Sequence, residues 1–402
     1  MAKKKKQKRD SKRVTVDFSA LLELPERLSH LLRLWFHLTK AEWDFMVDKV
    51  RQGKPYKEWS KSKGKGRGRR YFAAPCEELK MVQKAMLNQF LSQVPVHFCR
   101  HGGVKGSSII TNADHHTGFA KTVFAVDIVD AFPSVYRSRI RACLKKPFLF
   151  GLRQFAGVEL SNEDKEQLLE AIVDLLSYKD RLPQGPPTSP RIFEIVSGKT
   201  DMQLFDLVQR NSSAFQGYRL SIYADNITIS SDDFMPDEFR KQVVRIIQKN
   251  GFHTHTRKDK MTYFSPETGT VPVITGLVIT DDNRLLMHPN KVNQFRGALN
   301  TLLKSPIWDP NQKGKAAGII GFIRQIYPPG KNIPSKLKKV FEEAQLRFKS
   351  HDIKEPVKKV QPPKKQVVKP SEKKSAKVVN LSKTKDIKDV GQNNSLKEAA
   401  LA

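Results

Sequence analysis

Two stretches decide how this chain reads: Val123-Phe-Ala-Val-Asp127-Ile-Val-Asp130-Ala-Phe132 and Leu220-Ser-Ile-Tyr223-Ala-Asp225-Asn226-Ile-Thr-Ile-Ser230. Each sets a carboxylate on or beside a run of β-branched and aromatic residues, the pattern of a strand. Burying a carboxylate there is costly without a partner, and a divalent cation is the obvious one. Two such sites in one chain point to a two-metal centre, in which ions roughly 3.5–4 Å apart clamp the attacking and leaving oxygens of a phosphoryl transfer. In the second stretch Asp225-Asn226 reads as a hairpin-turn dipeptide, because both residues tolerate positive φ, and this puts Asp225 at the tip of a two-stranded ribbon. In the first, Asp127 ends a strand that Pro133 soon breaks. Packing the hairpin beside that strand brings both carboxylates together. Taken alone, each block also reads as an ordinary turn or helix-capping Asp.

The bulk properties narrow the partner. The chain has 402 residues, enough for a sizeable core and more than one subdomain. Lys and Arg number 72 against 41 Asp and Glu, a net charge of +31. Charge of that size attracts polyanions, and release of counterions from nucleic acid is the usual source of the affinity. No apolar stretch approaches 18 residues and no signal-peptide core follows the basic start, so a soluble cytoplasmic protein with no membrane partner is expected. Cys76, Cys99 and Cys143 are scattered, which argues against a disulfide framework or a zinc finger.

Composition shifts sharply at both ends. Residues 1–13 and 351–402 are rich in Lys with few aromatics, and both are expected to be disordered basic tails. Lys61-Ser-Lys-Gly-Lys-Gly-Arg-Gly-Arg-Arg70 reads as a mobile basic loop able to approach phosphates. Between the tails, helical spacing covers Leu21 to Leu38, Glu77 to Val94, Asp237 to Asn250, Pro289 to Leu303 and Lys313 to Tyr327. Strands cover Val123 to Asp127 and Leu220 to Ser230. The fold class is therefore α+β, with no internal repeat at a solenoid-like period.

Arg181-Leu-Pro183-Gln184-Gly185-Pro-Pro-Thr188-Ser189-Pro190 is a turn-rich loop whose Gly and Gln could approach a base or sugar. With it, three blocks stand in order: Phe-x-x-Asp-Ile-x-x-Ala-Phe, Leu-Pro-Gln-Gly-x-x-Thr-Ser-Pro and Tyr-Ala-Asp. Together they resemble successive palm motifs of reverse transcriptases. The bacterial retron-type branch is approached further by Arg70-x-x-x-x-Pro75, His101-Gly102, Gly106-x-Ser108-Ile109 with Asn112-Ala113, Gly251-Phe252 leading to Lys258, and Val273-Ile-Thr275-Gly276-Leu277. The resemblance covers about Arg70 to Thr280, with a weaker match to about Tyr327. Departures are Gly103 after His101-Gly102, His255, and Asn226 where a second Asp is usual.

The resemblance implies a right-hand polymerase: N-terminal helices and fingers at 14–122, a palm at 123–280 with a fingers segment at about 137–181, and a helical thumb at 281–350. It implies RNA-directed DNA synthesis from dNTPs with two Mg²⁺ ions held by Asp127, Asp225, the Ile128 carbonyl and Asn226. Phe132 would block a ribose 2′-OH; a core aromatic is the alternative. Arg70 would contact the incoming triphosphate, with Arg69 able to share the task. Gln184 and Gly185 would support the template–nucleotide pair, and Lys258 would protonate pyrophosphate unless it is a surface lysine. Lys291, Arg296, Lys315 and Arg324 would contact RNA from the thumb, or form a solvated helix face. A structured non-coding RNA would serve as template and primer, the product would be DNA joined to RNA, and a defence effector protein would be a further partner in anti-phage defence. The rival readings are an RNA-binding scaffold of the same fold weakened in catalysis, and another bacterial defence-type reverse transcriptase primed differently. His115-His116 and His253-x-His255 lack a third ligand at zinc-like spacing and read as hydrogen-bonding or RNA-contacting histidines.

Overall fold

The computed structural model describes residues 18–64, 68–157, 159–213, 217–255 and 261–354. The chain runs through α1 (Ser19–Leu22), α2 (Glu26–Trp35) and α3 (Lys40–Arg51), then a ribbon of β1 (Tyr56–Ser62) and β2 (Arg69–Pro75). It continues through α4 (Glu77–Gln89), α5 (Ile109–Asp114), β3 (Thr122–Asp127), α6 (Arg137–Ala156), α7 (Asn162–Leu176) and α8 (Ser189–Asn211). The hairpin β4 (Tyr218–Tyr223) and β5 (Asn226–Ser231) follows, then α9 (Asp237–Lys249) and β6 (Met261–Phe264). Three short strands, β7 (Val273–Ile274), β8 (Leu277–Ile279) and β9 (Leu285–Met287), lead into α10 (Pro289–Leu303), α11 (Pro310–Ile326) and α12 (Ser335–Lys354). The mixed α+β class is as expected from the sequence; residues 351–354 of the stretch expected as tail belong to α12, and the rest of both Lys-rich tails lies outside the described residues.

The position of β3 follows from its composition. Thr122–Asp127 is buried at nearly every position, so it cannot sit at an exposed edge. It is an inner strand of an antiparallel sheet ordered β4-β5-β3-β6, paired with β5 on one side and β6 on the other. α8 packs on β4, and α9 on α8, which closes one face of the sheet. The main core gathers Val126 and Ile128 of the central segment with Phe148, Leu168, Ile172, Phe193 and Ile229. A second core is built by Ile274, Leu277 and Ile279 with Leu299, Ile323 and Phe341, so the small β7–β9 sheet packs with the last three helices.

Several local expectations shift for identifiable reasons. The helix expected over Leu21 to Leu38 is two helices, because Pro25 stands at the α2 N-cap position with φ −56°. Its end comes early too, with His37 in left-handed backbone at φ 54°. The helix expected to reach Val94 ends at Gln89 and passes into a 3₁₀ turn at Leu91–Gln93. α11 begins before Lys313, because Asp309 caps it and Gln312 completes a capping box. The basic stretch expected as a loop has strand at both ends: Lys61 and Ser62 close β1, Arg69 and Arg70 open β2, and the two strands are paired from Tyr56↔Pro75 to Ser62↔Arg69. The hairpin turn is Ala224-Asp225, one residue earlier than expected. Tyr223 pairs with Asn226, so Asn226 already belongs to β5, and Ala224 carries the positive φ, 56°.

Candidate active site

Register brings the two carboxylates together. Asp127 is the last residue of β3 and lies opposite Asn226, the first residue of β5. The Ile128 N–H donates to the Asp225 carbonyl at 3.1 Å, which stitches the hairpin tip to the chain leaving β3. The His255 N–H donates to the Asp127 carbonyl at 3.1 Å from the opposite side. Asp127 is 5% exposed, so its backbone and side chain are fixed by a buried strand. Both carboxylates open into one cavity of about 490 Å³, which Ile128, Asp130, Phe132, Gln184 and His255 also line.

The opposite wall is basic. Lys61, Lys63 and Arg70 of the β1–β2 ribbon line the same cavity, with Phe72 below them. Lys61 lies opposite Arg70 and Trp59 opposite Phe72, so alternation puts these two pairs on one face of the ribbon. Trp59 and Phe72 stack with centroids 5.3 Å apart. The base of the ribbon is anchored: Tyr56 packs on Tyr178 at 4.4 Å, the Gln83 amide donates to the Tyr56 hydroxyl at 3.0 Å, and Lys179 pairs with Glu58. The Lys63 ammonium reaches Asp130 at 3.0 Å, bridging ribbon and sheet across the cavity mouth.

Of the residues singled out from sequence, Asp127, Ile128, Asp225, Arg70, Phe132 and Gln184 converge on this cavity. Gly185 braces it from behind. Its φ is 145°, and a Cβ there would meet the Ala73 carbonyl at 2.5 Å, while the Ala73 N–H donates to the Gln184 carbonyl at 2.9 Å. Only glycine lets the 183–186 loop lie this close to β2. Arg69 does not share the cavity with Arg70: its guanidinium donates to the Ser60 hydroxyl and carbonyl at 2.8 and 3.1 Å. Phe132 has its ring 5.6 Å from Phe193, so the cavity-lining reading and the core reading are both satisfied. Asn226 does not line the cavity; its amide donates to Asp225 Oδ1 at 3.3 Å. Lys258 lies outside the described residues.

The helices after Pro289 present their cations unequally. Lys315 is exposed and Arg296 half-buried. Lys291 sits over Phe295 at 4.8 Å. Arg324 stacks on Phe341 at 4.8 Å and donates to the Gln345 side chain at 2.7 Å, which ties α11 to α12. Sequence reasoning gave no role to Asp130, although it stands in the quoted first block, and read His255 only as a hydrogen-bonding or RNA-contacting histidine. His116, read the same way, is a hydrogen-bonding histidine that supports the hairpin. His116 is fully buried, and its two ring nitrogens lie 2.7 Å from the hydroxyls of Ser230 and Ser221, one nitrogen donating and the other accepting. Burial drives its pKa well below the ordinary value, and the neighbouring His115, His101 and Arg219 push the same way, so the ring is neutral.

Among the described residues no group of three or more His, Cys, Asp or Glu side chains could hold a metal. Two carboxylates facing a basic wall nevertheless fit magnesium, which takes one or two carboxylates and completes its octahedron with substrate phosphates and water. Among the described residues no helix is long and apolar enough to cross a membrane.

No family model matches the chain. It is 29% identical over 335 residues to the retron Mx162 reverse transcriptase of Myxococcus xanthus, covering 77% of this chain and 66% of that one. It is 31% identical over 265 residues to the retron Mx65 reverse transcriptase of the same organism, covering 65% and 59%. With the retron Ec73 reverse transcriptase of Escherichia coli it shares 27% identity, covering 71% of this chain and 87% of that one. The chain thus spans less than two thirds of the first two relatives' length. Among solved structures, apo telomerase from Candida tropicalis superposes with a TM-score of 0.40 at 12% identity, covering 78% and 64%.

Proposed function

Because the chain is related in sequence to the retron-type reverse transcriptases, we propose that it is an RNA-directed DNA polymerase whose active site is the cavity between the β1–β2 ribbon and the β3–β5 edge. The observation that carries this reading is the convergence of Asp127, Asp225, Phe132, Gln184 and Arg70, from separate segments, on one cavity with an acidic and a basic wall. In this reading the ribbon belongs to the fingers, the four-stranded sheet to the palm and α10–α12 to the thumb. The packing of Ile274, Leu277 and Ile279 into the second core favours a thumb that begins near Val273.

Asp127 and Asp225 would hold two Mg²⁺ ions, with the Ile128 carbonyl as a further oxygen. The ions would supply activation of the primer hydroxyl and neutralisation of charge on the leaving pyrophosphate. The chain's own residues do the rest. Arg70 offers a planar fork and Lys61 and Lys63 point charges to the triphosphate of a dNTP. Phe132 would exclude a ribose 2′-OH, a reading supported by its place in the cavity lining beside Asp127 and its packing on Phe193. Gln184, fixed through Ala73, supports the template–nucleotide pair. Asn226 enters as a donor that orients Asp225. The RNA partner would be a structured non-coding RNA serving as template and primer, bound through Arg296 and Lys315 with Lys291, and the DNA product would remain joined to it. An anti-phage role with an effector protein follows from the retron kinship alone.

The test is to purify the full chain with its co-expressed RNA and supply Mg²⁺ and labelled dNTPs. DNA synthesis that RNase abolishes when added first, and that Asp127→Asn eliminates, is the expected result. Undiminished synthesis by Asp127→Asn sinks the two-metal assignment.

A further inference from the structure

The turn that carries Asp225 has a conformation that needs external support. Ala224 adopts φ 56°, a region that residues bearing a Cβ enter at a cost of order 1 kcal/mol and keep only where the surroundings over-determine it. Those surroundings come from Cys99–Gly103, a segment with no role in the cavity. The Ile222 N–H donates to the Cys99 carbonyl and the His101 N–H to the Ile222 carbonyl, both at 2.8 Å, so this segment runs as a short parallel strand beside β4. It carries Arg100, which is 3% exposed. The Arg100 guanidinium makes a fork to Asp201 on α8, Nε to Oδ2 at 2.5 Å and Nη2 to Oδ1 at 2.9 Å, and Nη2 also donates to the Ser197 hydroxyl. Its remaining Nη1 donates to the carbonyl of Ala224 at 3.2 Å. From the adjoining position Gly102 lies so close that a Cβ would sit 2.3 Å from the Ala224 nitrogen. The same guanidinium lies 5.7 Å from the centroid of Phe193, whose ring is the one packed against Phe132.

We propose that Arg100 is a positioning residue for polymerisation: anchored by Asp201, it locks the strained Ala224-Asp225 turn, with Gly102 closing the turn from the other side, so that the Asp225 carboxylate is held at the metal site. A lone ion pair between residues 1–3% exposed is weak grounds for stability. The fork leaves Nη1 over, and Nη1 donates to the Ala224 carbonyl, the one that adjoins Asp225 in the turn. Lysine cannot replace this, because a single ammonium on a flexible stem satisfies Asp201 or the Ala224 carbonyl but does not span both. The inference rests on the polymerase reading above.

The experiment compares wild-type chain, Arg100→Lys and Gly102→Ala, each purified with its RNA, with Mn²⁺ as the probe. Electron paramagnetic resonance measures the Mn²⁺ bound beyond that retained by Asp127→Asn, and thermal melting measures the folded fraction. Both variants are expected to melt cooperatively yet bind this Mn²⁺ about tenfold more weakly, with a matching rise in the divalent concentration that half-saturates DNA synthesis. Folded variants with wild-type Mn²⁺ binding overturn the positioning role and leave the polymerase reading standing. A wild-type chain that makes no RNA-dependent DNA and binds no Asp127-dependent Mn²⁺ overturns both. Should Arg100→Lys fail to fold, Gly102→Ala decides alone, since it leaves the buried ion pair intact and acts on the same turn.

Discussion

The acidic wall of the cavity is carried by a strand buried along its length, whereas the basic wall is carried by a two-stranded ribbon whose outer positions face solvent. Asp127 is fixed by pairing on both sides of β3, and the Asp225 turn is gripped by backbone bonds, Arg100 and Gly102. The ribbon is anchored at its base by Tyr56, Gln83 and Lys179, midway by the Ala73 N–H on the Gln184 carbonyl, and toward the tip by the half-exposed Lys63–Asp130 pair. An exposed pair of that kind is worth about 0–1 kcal/mol, so the tip of the basic wall moves cheaply. The contrast assigns different tasks to the walls. In the polymerase reading, the side that would hold metal is the buried one, and the side that would admit and release a polyanion is the more exposed one.

Mutations on the two walls should therefore fail differently. The largest effect is expected from Asp127→Asn, a loss of synthesis by about a thousandfold or more, since metal stabilisation of the transition state is worth several kcal/mol. Arg70→Ala should act mainly on dNTP affinity, raising KM by about 10–100-fold, the equivalent of losing one charge-assisted contact. Steady-state kinetics across a dNTP series separates the two. A loss confined to kcat in Arg70→Ala would mean that the ribbon is as rigid a part of the site as β3.

Phe132 sits at the junction of the walls and tests selectivity. Phe132→Ala removes the ring that borders the cavity beside Asp127 and should let rNTPs compete at least about tenfold better, the usual worth of a pocket-filling group. Unchanged discrimination in primer extension with mixed nucleotides removes Phe132 from the sugar-sensing role and leaves it as Phe193's packing partner.

What was legible in the sequence was whatever depends on local periodicity. Thr122–Asp127 announces a buried strand by its composition, and the hairpin by its alternating apolar positions, so both carboxylates could be placed before the fold was seen. The turn was misplaced by one residue because Asp-Asn is the better intrinsic turn pair, and tertiary contacts override that preference by forcing Ala224 into left-handed backbone. The glycines in Lys61–Arg70 point to a loop, and they hide the strand pairing that Lys61, Ser62, Arg69 and Arg70 share with their apolar neighbours in β1 and β2. Arg100 was invisible because its partner carbonyl lies 124 residues away and nothing in the Cys99–Gly103 stretch signals burial. Arg324 is a cation that reads as an RNA contact on a basic helix, and the fold also gives it a packing partner, Phe341, and a bond to Gln345 on α12 that sequence spacing does not signal.

The rigid wall also carries a pH signature. His116 bridges Ser221 on β4 and Ser230 on β5 as a neutral ring, its pKa held well below the ordinary 6.5 by burial. The unfolded chain takes up a proton near pH 6.5 that the folded chain refuses, so stability is present above that pH and is lost as pH falls below it. His101, His115 and His97 are lowered by burial as well and add to the same slope. Melting temperatures taken from pH 7.5 down to 5.5 should fall steadily in the wild type. His116→Gln should be less stable at pH 7.5 but show a shallower fall, and an unchanged slope would mean that the buried ring is not the proton acceptor on unfolding.

The smallest effect is expected at Asn226. Its amide donates to Asp225 Oδ1, and Asn226 is not among the residues that line the cavity. Asn226→Asp exchanges that donor for a second carboxylate, adding negative charge near the cation site while removing a hydrogen bond that orients Asp225. Asn226 is exposed, so the added charge acts through a high effective dielectric and is screened over roughly 10 Å at 0.1 M salt. The half-saturating Mg²⁺ concentration for synthesis should fall by no more than about threefold, and the change should vanish as salt is raised. A tenfold drop that survives high salt would put this side chain in direct contact with the ion. It would also extend the rigid wall to include the first residue of β5 as a ligand.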